Sequence, residues 1–198
     1  MEHNQGIIIL AAGSSSRLGQ PKQLLEYNNT TLLKNAIAEA SGVPAAAIMV
    51  VTGANSEAIE GDLKQSVASI CYNKEWEQGM GSSIATGLKR LLELHSDLKA
   101  CIFAVCDQPF VTTQVFRDIL EQQTQSGKGI IASLYADTLG TPVLFSHTYF
   151  EALLNLNGKE GAKKIVENYI DDVASVPFDK GNIDIDTIHD YNNFISSK

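Results

Sequence analysis

Three segments of the chain are almost uninterruptedly apolar, and each is followed by a glycine or an aspartate. They span residues 6–12, 47–52 and 100–106. Strands that are buried on both faces of a parallel sheet show such continuous runs, whereas half-exposed strands alternate between apolar and polar residues. The pattern therefore predicts three buried parallel strands.

Between these strands, apolar residues recur at the spacing of one face of a helix. In residues 82–94, for example, Ile84, Leu88, Leu91 and Leu92 share a face. The pattern predicts helices over residues 31–41, 56–63 (with Ser56 as N-cap), 82–94, 112–125, 148–154, 161–169 and 187–195. Further strands are predicted over residues 69–72, 130–135, 142–145 and 173–178.

The alternation of strands and helices predicts the fold class. A chain of this kind forms an α/β fold, a Rossmann-like three-layer sandwich with a mostly parallel sheet and helices on both faces. The 198 residues, 44% of them hydrophobic, suffice for one well-buried core. Since no repeat, low-complexity stretch or linker interrupts the pattern, we expect a single domain over residues 1–198.

The charge balance narrows the classes of ligand. The chain has 15 lysines and arginines against 23 aspartates and glutamates, which gives a net charge of −8. Non-specific nucleic-acid binding needs the opposite excess, because cations must neutralise phosphates. We therefore expect no nucleic-acid partner, although a few local cations can still bind a small phosphorylated ligand.

Apolar run lengths and cysteine usage bear on localisation. No run of about 18 apolar residues predicts a membrane span, and the N-terminal apolar run is too short for a signal peptide. Cys71, Cys101 and Cys106 form no Cys-x-x-Cys pair, so we expect reduced thiols that pack as small hydrophobes. A soluble cytoplasmic protein without a membrane partner is expected.

The loop after the first strand is the main candidate for chemistry. It contains Gly13, three serines, Arg17, Gly19 and Lys22. Open α/β sheets bind ligands at the carboxyl ends of their strands, where backbone N–H groups and cations suit a polyphosphate. The spacing differs from both the Walker A loop and the dinucleotide Gly-x-Gly-x-x-Gly fingerprint. The alternative is a plain flexible turn.

Three other segments could join this loop. Asp107 follows a buried strand, and a carboxylate there can hold Mg²⁺ against triphosphate oxygens. Residues 79–83, Gly-Met-Gly-Ser-Ser, lead into a helix and could approach a nucleotide. Asp184 and Asp186 alternate along an extended segment and either could be a second metal ligand. For each segment, simple helix capping or a turn is the alternative. Tyr135 and Trp76 are interpreted as packing residues.

Taken together, these segments resemble the MobA-like nucleotidyltransferase family, and more narrowly its molybdenum cofactor cytidylyltransferases. The matching segments are residues 10–25, 79–83, 107–109, 140–142 and 184–187, in the family's order. Leu-Ala-Ala-Gly at residues 10–13 replaces the Leu-Ala-Gly-Gly that is usual in the guanylyltransferase branch. The departures lie on the presumed acceptor side: Lys159, Lys163, Thr141 and Ile188 replace the usual Asp, Arg, His and Pro.

The resemblance implies a mechanism and a set of residues. CTP and Mg²⁺ would bind, a terminal phosphate of molybdopterin would attack in line, and pyrophosphate would leave. Arg17 and Lys22 would neutralise the phosphates, and Asp107 with Asp186 (or Asp184) would hold the metal. A molybdoenzyme or chaperone is a possible protein partner. The nucleotide-binding residues implied are Leu10, Ala11, Ala12, Gly13, Ser14, Ser15, Ser16, Gly81, Ser82 and Ser83.

Other functions remain open at this point. The same chemistry could use GTP, or a sugar phosphate or polyol phosphate as acceptor. A nucleotide-binding oxidoreductase on a similar sheet is disfavoured because the dinucleotide fingerprint is missing. A non-catalytic cofactor-binding or chaperone-like protein is disfavoured because Arg17, Lys22 and Asp107 are all present.

Overall fold

The computed structural model describes residues 4–156, 158 and 161–196, over which strands and helices alternate. The strands are β1 (Gln5–Leu10), β2 (Glu26–Tyr27), β3 (Thr30–Thr31), β4 (Ala47–Thr52), β5 (Ser69–Tyr72), β6 (Ala100–Val105), β7 (Ile130–Tyr135), β8 (Thr138–Ser146) and β9 (Val173–Pro177). The helices are α1 (Leu32–Ala40), α2 (Ser56–Asp62), α3 (Met80–Leu94), α4 (Thr113–Ser126), α5 (Phe150–Leu154), α6 (Lys163–Asn168) and α7 (Ile188–Ser196).

Seven of the described strands form one sheet in the order β5-β4-β1-β6-β8-β7-β9. The central strand β1 pairs in parallel with β4 and β6, which places Leu10 beside Val105 at the carboxyl edge. Strand β8 runs antiparallel to both β6 and β7, and β9 is parallel to β7. The predicted α/β fold with a mostly parallel sheet is therefore confirmed.

Helices cover both faces of this sheet, because each central strand has apolar side chains on both sides. Ile7 and Ile9 of β1 pack toward α1, α2 and α4, whereas Ile8 and Leu10 pack toward α3, α5 and α6. Ile7, Ile8 and Ile9 are at most 1% exposed. A Cβ built on Gly87 would lie 2.5 Å from Cγ2 of Val51, so this glycine lets α3 approach the sheet closely.

A smaller apolar cluster brings the C-terminal segment back to the carboxyl edge. The ring of Phe194 in α7 lies 5.1 Å from that of Tyr27 and 5.4 Å from that of Phe110, measured between centroids. Ile185 is buried in the same cluster, and its backbone N–H donates to the carbonyl of Asp107 over 3.1 Å. These contacts hold the segment before α7 against the end of β6.

Several predicted boundaries were wrong, for local reasons. Strand β8 is longer than the predicted 142–145, and α3 begins at Met80 rather than at residue 82. The N-cap of α2 is Asn55, in the left-handed conformation (φ 58°), and not Ser56. The hairpin β2–β3 was missed, although its turn residues Asn28 and Asn29 have the left-handed backbone that asparagine tolerates.

The three cysteines differ in their burial. Cys101 and Cys106 are buried as expected, Cys71 is half-buried, and all three thiols are free. Among the helices that the structure describes, none combines the length and the apolar character needed to cross a bilayer.

Candidate active site

A cleft of about 350 Å³ opens at the carboxyl edge of the sheet, above β1 and β6. Since these neighbouring strands are parallel, the loop after β1 and Asp107 after β6 emerge side by side, as predicted. The cleft is lined mainly by the loop after β1, the turn before α3 and the end of β6. Its lining residues are Leu10, Ala11, Ala12, Gly13, Ser14, Lys22, Gln23, Trp76, Glu77, Gly79, Met80, Ser83, Val105, Cys106 and Asp107.

Lys22 connects the two predicted metal-binding carboxylates. Its Nζ lies 2.6 Å from Oδ2 of Asp107 and 2.9 Å from Oδ1 of Asp186. Arg17, whose side chain is 70% exposed, donates from Nη2 to Oδ2 of Asp186 over 2.8 Å. Residues from the beginning, middle and end of the chain therefore form one ionic cluster, the Lys22 cluster: Arg17, Lys22, Asp107 and Asp186.

The contacts within the Lys22 cluster favour the charged forms of Lys22 and Asp186. Burial alone would lower the pKa of Lys22, but the charge of Asp107 and hydrogen bonds to Asp107 and Asp186 outweigh burial and raise it. The hydrogen bond from Lys22 lowers the pKa of Asp186, and the charges of Lys22 and Arg17 add to that effect. A half-buried, fully charged lysine beside an anion-binding loop can neutralise phosphate oxygens.

The loop after β1 is shaped by Gln23, which is only 1% exposed. Its Nε2 donates to the carbonyls of Ala11 (2.8 Å) and Gly13 (3.0 Å), and its Oε1 accepts from the hydroxyl of Ser15. That hydroxyl also accepts the backbone N–H of Lys22, and Ser15 itself has a left-handed φ of 53°. Gln23 thus fixes the path of the loop. Sequence reasoning missed this role, because a glutamine that follows Gln20-Pro-Lys22 gives no local sign of burial.

Two predicted nucleotide-binding side chains in the first turn of α3, Ser82 and Ser83, form hydrogen bonds within the protein. The hydroxyl of Ser82 lies within donating distance of the carbonyls of Gly79 (2.8 Å) and Glu75 (2.9 Å), and accepts from Nδ2 of Asn73. Ser83 also accepts from Asn73, but it lines the cleft together with Gly79. Ser82 is therefore a residue that fixes the turn, and it does not cap α3, which begins two residues earlier.

Not every predicted residue faces the cleft. Of the ten predicted nucleotide-binding residues, six line it: Leu10, Ala11, Ala12, Gly13, Ser14 and Ser83. Gly81 and Ser82 are buried and do not appear in its lining. Ser15 belongs to the same loop but does not line the cleft, and its hydroxyl donates to Oε1 of Gln23. Ser16 and Arg17 are exposed outside the cleft lining.

The structure distinguishes the two aspartates before α7. Asp186 contacts both cations of the Lys22 cluster, whereas Asp184 lines a separate cavity with Phe110 and Phe194. Partial burial, together with the charges of Asp107 and Asp186, raises the pKa of Asp184 to about 6. Asp186 is thus the aspartate better placed to act together with Asp107.

The chemistry of this cluster fits a divalent cation that shares its shell with a ligand. Among the described residues, no three His, Cys, Asp or Glu side chains lie together as a metal site of their own. Nζ of Lys22 contacts both Asp107 and Asp186, so these two carboxylates lie close enough to share one positive charge. Mg²⁺ is commonly bound by one or two carboxylates and completes its shell with phosphate oxygens and water.

A second cavity of about 270 Å³ adjoins the cleft and shares Leu10, Met80 and Val105 with it. Its walls are largely apolar and come from α3, β6, β8 and α6. The polar side chains in its lining belong to Tyr135, Thr138, Thr141 and Lys163. We call it the apolar pocket. Its apolar lining includes Ile84 of α3, Phe103 of β6, Val143 of β8 and Val166 of α6.

Buried Gln108 connects Thr141, in the lining of the apolar pocket, to Gly181 in the segment after β9. Its Oε1 accepts the hydroxyl of Thr141 over 3.0 Å, and its Nε2 donates to the carbonyl of Gly181 over 2.7 Å. Thr141, the departure from the usual histidine, is therefore engaged in the protein's own hydrogen bonding. Of the other departures, Ile188 begins α7 and is exposed, and Lys159 lies outside the described residues. Sequence reasoning missed Gln108 as well.

The fold and its relatives define the class of protein. Solved structures with the same architecture place it among α/β proteins of the nucleotide-diphospho-sugar transferase fold. The sequence profile of the MobA-like NTP transferase domain matches residues 7–173. The chain therefore belongs to this family of nucleotidyltransferases.

Two curated relatives are similar to parts of the chain. The molybdenum cofactor cytidylyltransferase of Escherichia coli (strain K12) is 30% identical over 139 residues, covering 70% of this chain and 68% of that protein. The nicotine blue oxidoreductase of Paenarthrobacter nicotinovorans is 36% identical over 81 residues, 40% of each chain.

Solved structures resemble the whole described chain. The crystal structure of Rv0371c from Mycobacterium tuberculosis H37Rv has a TM-score of 0.84 at 28% identity and covers 98% of both chains. A structure of Rv0371c in complex with manganese has a TM-score of 0.82 at 26% identity, covering 98% of this chain and 100% of that one.

Proposed function

We propose that this protein is a Mg²⁺-dependent cytidylyltransferase that transfers CMP from CTP to molybdopterin and releases pyrophosphate. The observation that carries the proposal is the position of Lys22, whose ammonium lies between Asp107 and Asp186 beside the Gly13 loop. The similarity to the E. coli cytidylyltransferase supports the choice of CTP and of a molybdenum cofactor precursor, as does Ala12 in the first motif.

Each group of the cleft has a role in this reaction. The triphosphate lies over the Gly13 loop, which faces open space because a Cβ at Gly13 would meet nothing within 4 Å. Lys22 and Arg17 exchange their carboxylate contacts for phosphate oxygens, and Lys22 stabilises the charge that develops at the α-phosphorus. Asp107 and Asp186 would hold Mg²⁺, which supplies further neutralisation of the phosphates when bound; the manganese complex of a structural relative supports a divalent ion.

The covalent step needs no protein nucleophile. An oxygen of the acceptor's terminal phosphate forms a bond to the α-phosphorus, while the bond from that phosphorus to the bridging oxygen breaks. Pyrophosphate carries that oxygen and its electron pair away. Catalysis then consists of positioning and charge stabilisation, as phosphoryl-transfer chemistry requires.

The acceptor is placed in the apolar pocket, which adjoins the cleft through Leu10, Met80 and Val105. A cavity with apolar walls and a few polar side chains suits a flat heterocycle, whose faces pack on the walls while its edge meets the polar groups, better than a sugar, whose hydroxyls point in many directions. This favours a reduced pterin over a sugar phosphate or polyol phosphate. A molybdoenzyme or chaperone partner and a cytoplasmic location stay predictions.

Pyrophosphate release with each of the four common ribonucleoside triphosphates and with molybdopterin or a sugar 1-phosphate tests the proposal. We expect the fastest release with CTP and molybdopterin, and dependence on Mg²⁺. A clear preference for GTP would move the protein to guanylyl transfer. Turnover of the sugar phosphate alone would refute the pterin acceptor.

A redox function is the second candidate, because one relative is named nicotine blue oxidoreductase. The loop after β1 lacks the dinucleotide fingerprint, which counts against nicotinamide binding. Absorbance assays for nicotinamide turnover, run on the same preparation, distinguish the two functions.

A further inference from the structure

Tyr135 ends β7 at the mouth of the apolar pocket. The next two residues, Ala136 and Asp137, both have left-handed backbones (φ 46° and 56°), so the chain reverses directly after the tyrosine. The Tyr135 ring packs edge-on against Phe178, with centroids 6.0 Å apart. The predicted packing role is therefore present, and it orients the phenol group toward the pocket lining.

Two glycines make room for this ring. A Cβ built on Gly140 would overlap the hydroxyl oxygen of Tyr135, and a Cβ built on Gly181 would overlap the edge of its ring. Gly140 belongs to the Gly-Thr-Pro segment by which the chain resembles its family. The position of Tyr135 thus explains why that segment begins with a residue that has no side chain.

The hydroxyl of Tyr135 has no hydrogen-bond partner among the described residues, whereas the nearby hydroxyls of Ser133 and Thr141 are both bonded. Ser133 donates to the carbonyl of Pro142 (2.8 Å), and Thr141 donates to Gln108. No buried polar side-chain atom in the described structure lacks a partner, so the tyrosine hydroxyl is not sealed from solvent, and it lies against Gly140 in the pocket lining. It is an oriented donor and acceptor in an otherwise mostly apolar cavity.

We propose that Tyr135 is a specificity-determining residue whose hydroxyl hydrogen-bonds a heteroatom of a planar nitrogen- and oxygen-containing ring in the apolar pocket. This proposal rests on the proposed function, which places the acceptor there. A site that presents a polar group to a substrate rejects analogues that leave this group without a partner when it is covered. Tyr135 therefore selects heterocyclic acceptors, while the Lys22 cluster acts on the triphosphate.

The test compares wild type with Tyr135→Phe, which keeps the ring and removes only the hydroxyl. Tyr149→Phe is the matched control, because the Tyr149 hydroxyl bonds Asp172 and lines neither cavity. Pyrophosphate release gives kcat and KM for molybdopterin at saturating CTP. The chain's single tryptophan, Trp76, lines the cleft, so its fluorescence reports CTP binding separately.

We expect kcat/KM for molybdopterin to fall about tenfold in Tyr135→Phe, the usual effect of one lost hydrogen bond. CTP affinity and the Tyr149→Phe kinetics should stay as in wild type. Gly140→Ala, whose methyl group displaces the phenol, should repeat the loss of Tyr135→Phe at an unchanged CTP affinity.

The outcomes separate this proposal from the function on which it rests. Wild-type turnover of molybdopterin with unchanged Tyr135→Phe kinetics would overturn the role of Tyr135 and leave the function standing. An equal loss in Tyr149→Phe, or a parallel loss of CTP affinity, would also overturn it, since the effect would then be structural. A wild-type protein that does not turn over molybdopterin would overturn the proposed acceptor, and the role of Tyr135 with it.

Discussion

The two adjoining cavities are built from opposite kinds of surface. The cleft above β1 and β6 is bordered by charge: Lys22, 15% exposed in its side chain, pairs with Asp107 and Asp186. The apolar pocket beside it is walled by aliphatic and aromatic side chains from β6, β8, α3 and α6, with few polar groups. The cleft comes from the parallel part of the sheet, and the pocket includes its antiparallel strand.

Under the proposed function, this difference separates the groups that catalyse the transfer from those that select the acceptor. Charge stabilisation at a phosphorus atom needs fixed cations and carboxylates, whatever the acceptor. Recognition of an acceptor depends on shape and on a few uncommitted polar groups such as the Tyr135 hydroxyl. Substitutions in the cleft should therefore change the rate, and substitutions in the pocket should change the choice of acceptor.

Lys22→Ala should give the largest effect. If its ammonium stabilises charge at the α-phosphorus, kcat falls by about 10²–10³-fold while the Kd for CTP changes much less. Lys34→Ala is the control, because Lys34 pairs with Asp62 away from both cavities. Steady-state rates and fluorescence-detected CTP binding are measured for both; normal turnover of the Lys22 variant would refute the mechanism.

Asp107→Ala should reduce the rate in a different way. It removes one proposed metal ligand and leaves Asp186, so raising Mg²⁺ should restore part of the activity. A Mg²⁺ series at saturating CTP measures this. A loss that no Mg²⁺ concentration relieves would mean that Asp107 acts only as the partner of Lys22.

Gln108→Leu tests how much one buried amide stabilises the contact between β8 and the segment around Gly181. The carbonyl of Gly181 and the hydroxyl of Thr141 would each lose a partner, which should lower the free energy of unfolding by about 1–3 kcal/mol. Gln125→Leu, at an exposed site on α4, should change it by less than about 0.5 kcal/mol. Urea denaturation measures the free energy of unfolding of both variants and of wild type. Equal values for Gln108→Leu and wild type would show that the hydrogen bonds of Gln108 do not stabilise the fold.

The smallest effect concerns acid stability. The pKa of Asp186 is held below its ordinary value of 3.8, chiefly by the hydrogen bond from Lys22. Its contribution is therefore present above about pH 4 and is lost as the pH falls through the lowered pKa. Asp186→Asn should flatten the acid limb of the melting temperature. Parallel acid limbs in the two proteins would contradict the ion pair.

The nucleotide side could be predicted because its signals are local. The apolar runs at residues 6–12 and 100–106 predict buried strands; Asp107 directly follows the second run, and Lys22 belongs to the loop after the first. The pairing of Lys22 with Asp186 spans 164 residues of sequence. It could be expected only from the general rule that ligand sites gather at the carboxyl edge of a parallel sheet.

The acceptor side was less predictable, because its features depend on tertiary contacts. Gly140 and Pro142 resemble strand breakers, yet β8 continues through them and pairs with β7 across an irregularity between Ala132 and Ser133. Gln108 acts through partners 33 and 73 residues away. The accessible hydroxyl of Tyr135 likewise follows from its glycine neighbours in space.

The most direct test of the central claim is a crystal structure with Mn²⁺ and a non-hydrolysable CTP analogue, in which anomalous scattering locates the metal. We predict one metal peak bonded to Asp107 and Asp186, with the triphosphate over the Gly13 loop and Lys22 moved from the carboxylates to the phosphates. A metal peak away from both aspartates, or a nucleotide bound outside this cleft, would contradict the account.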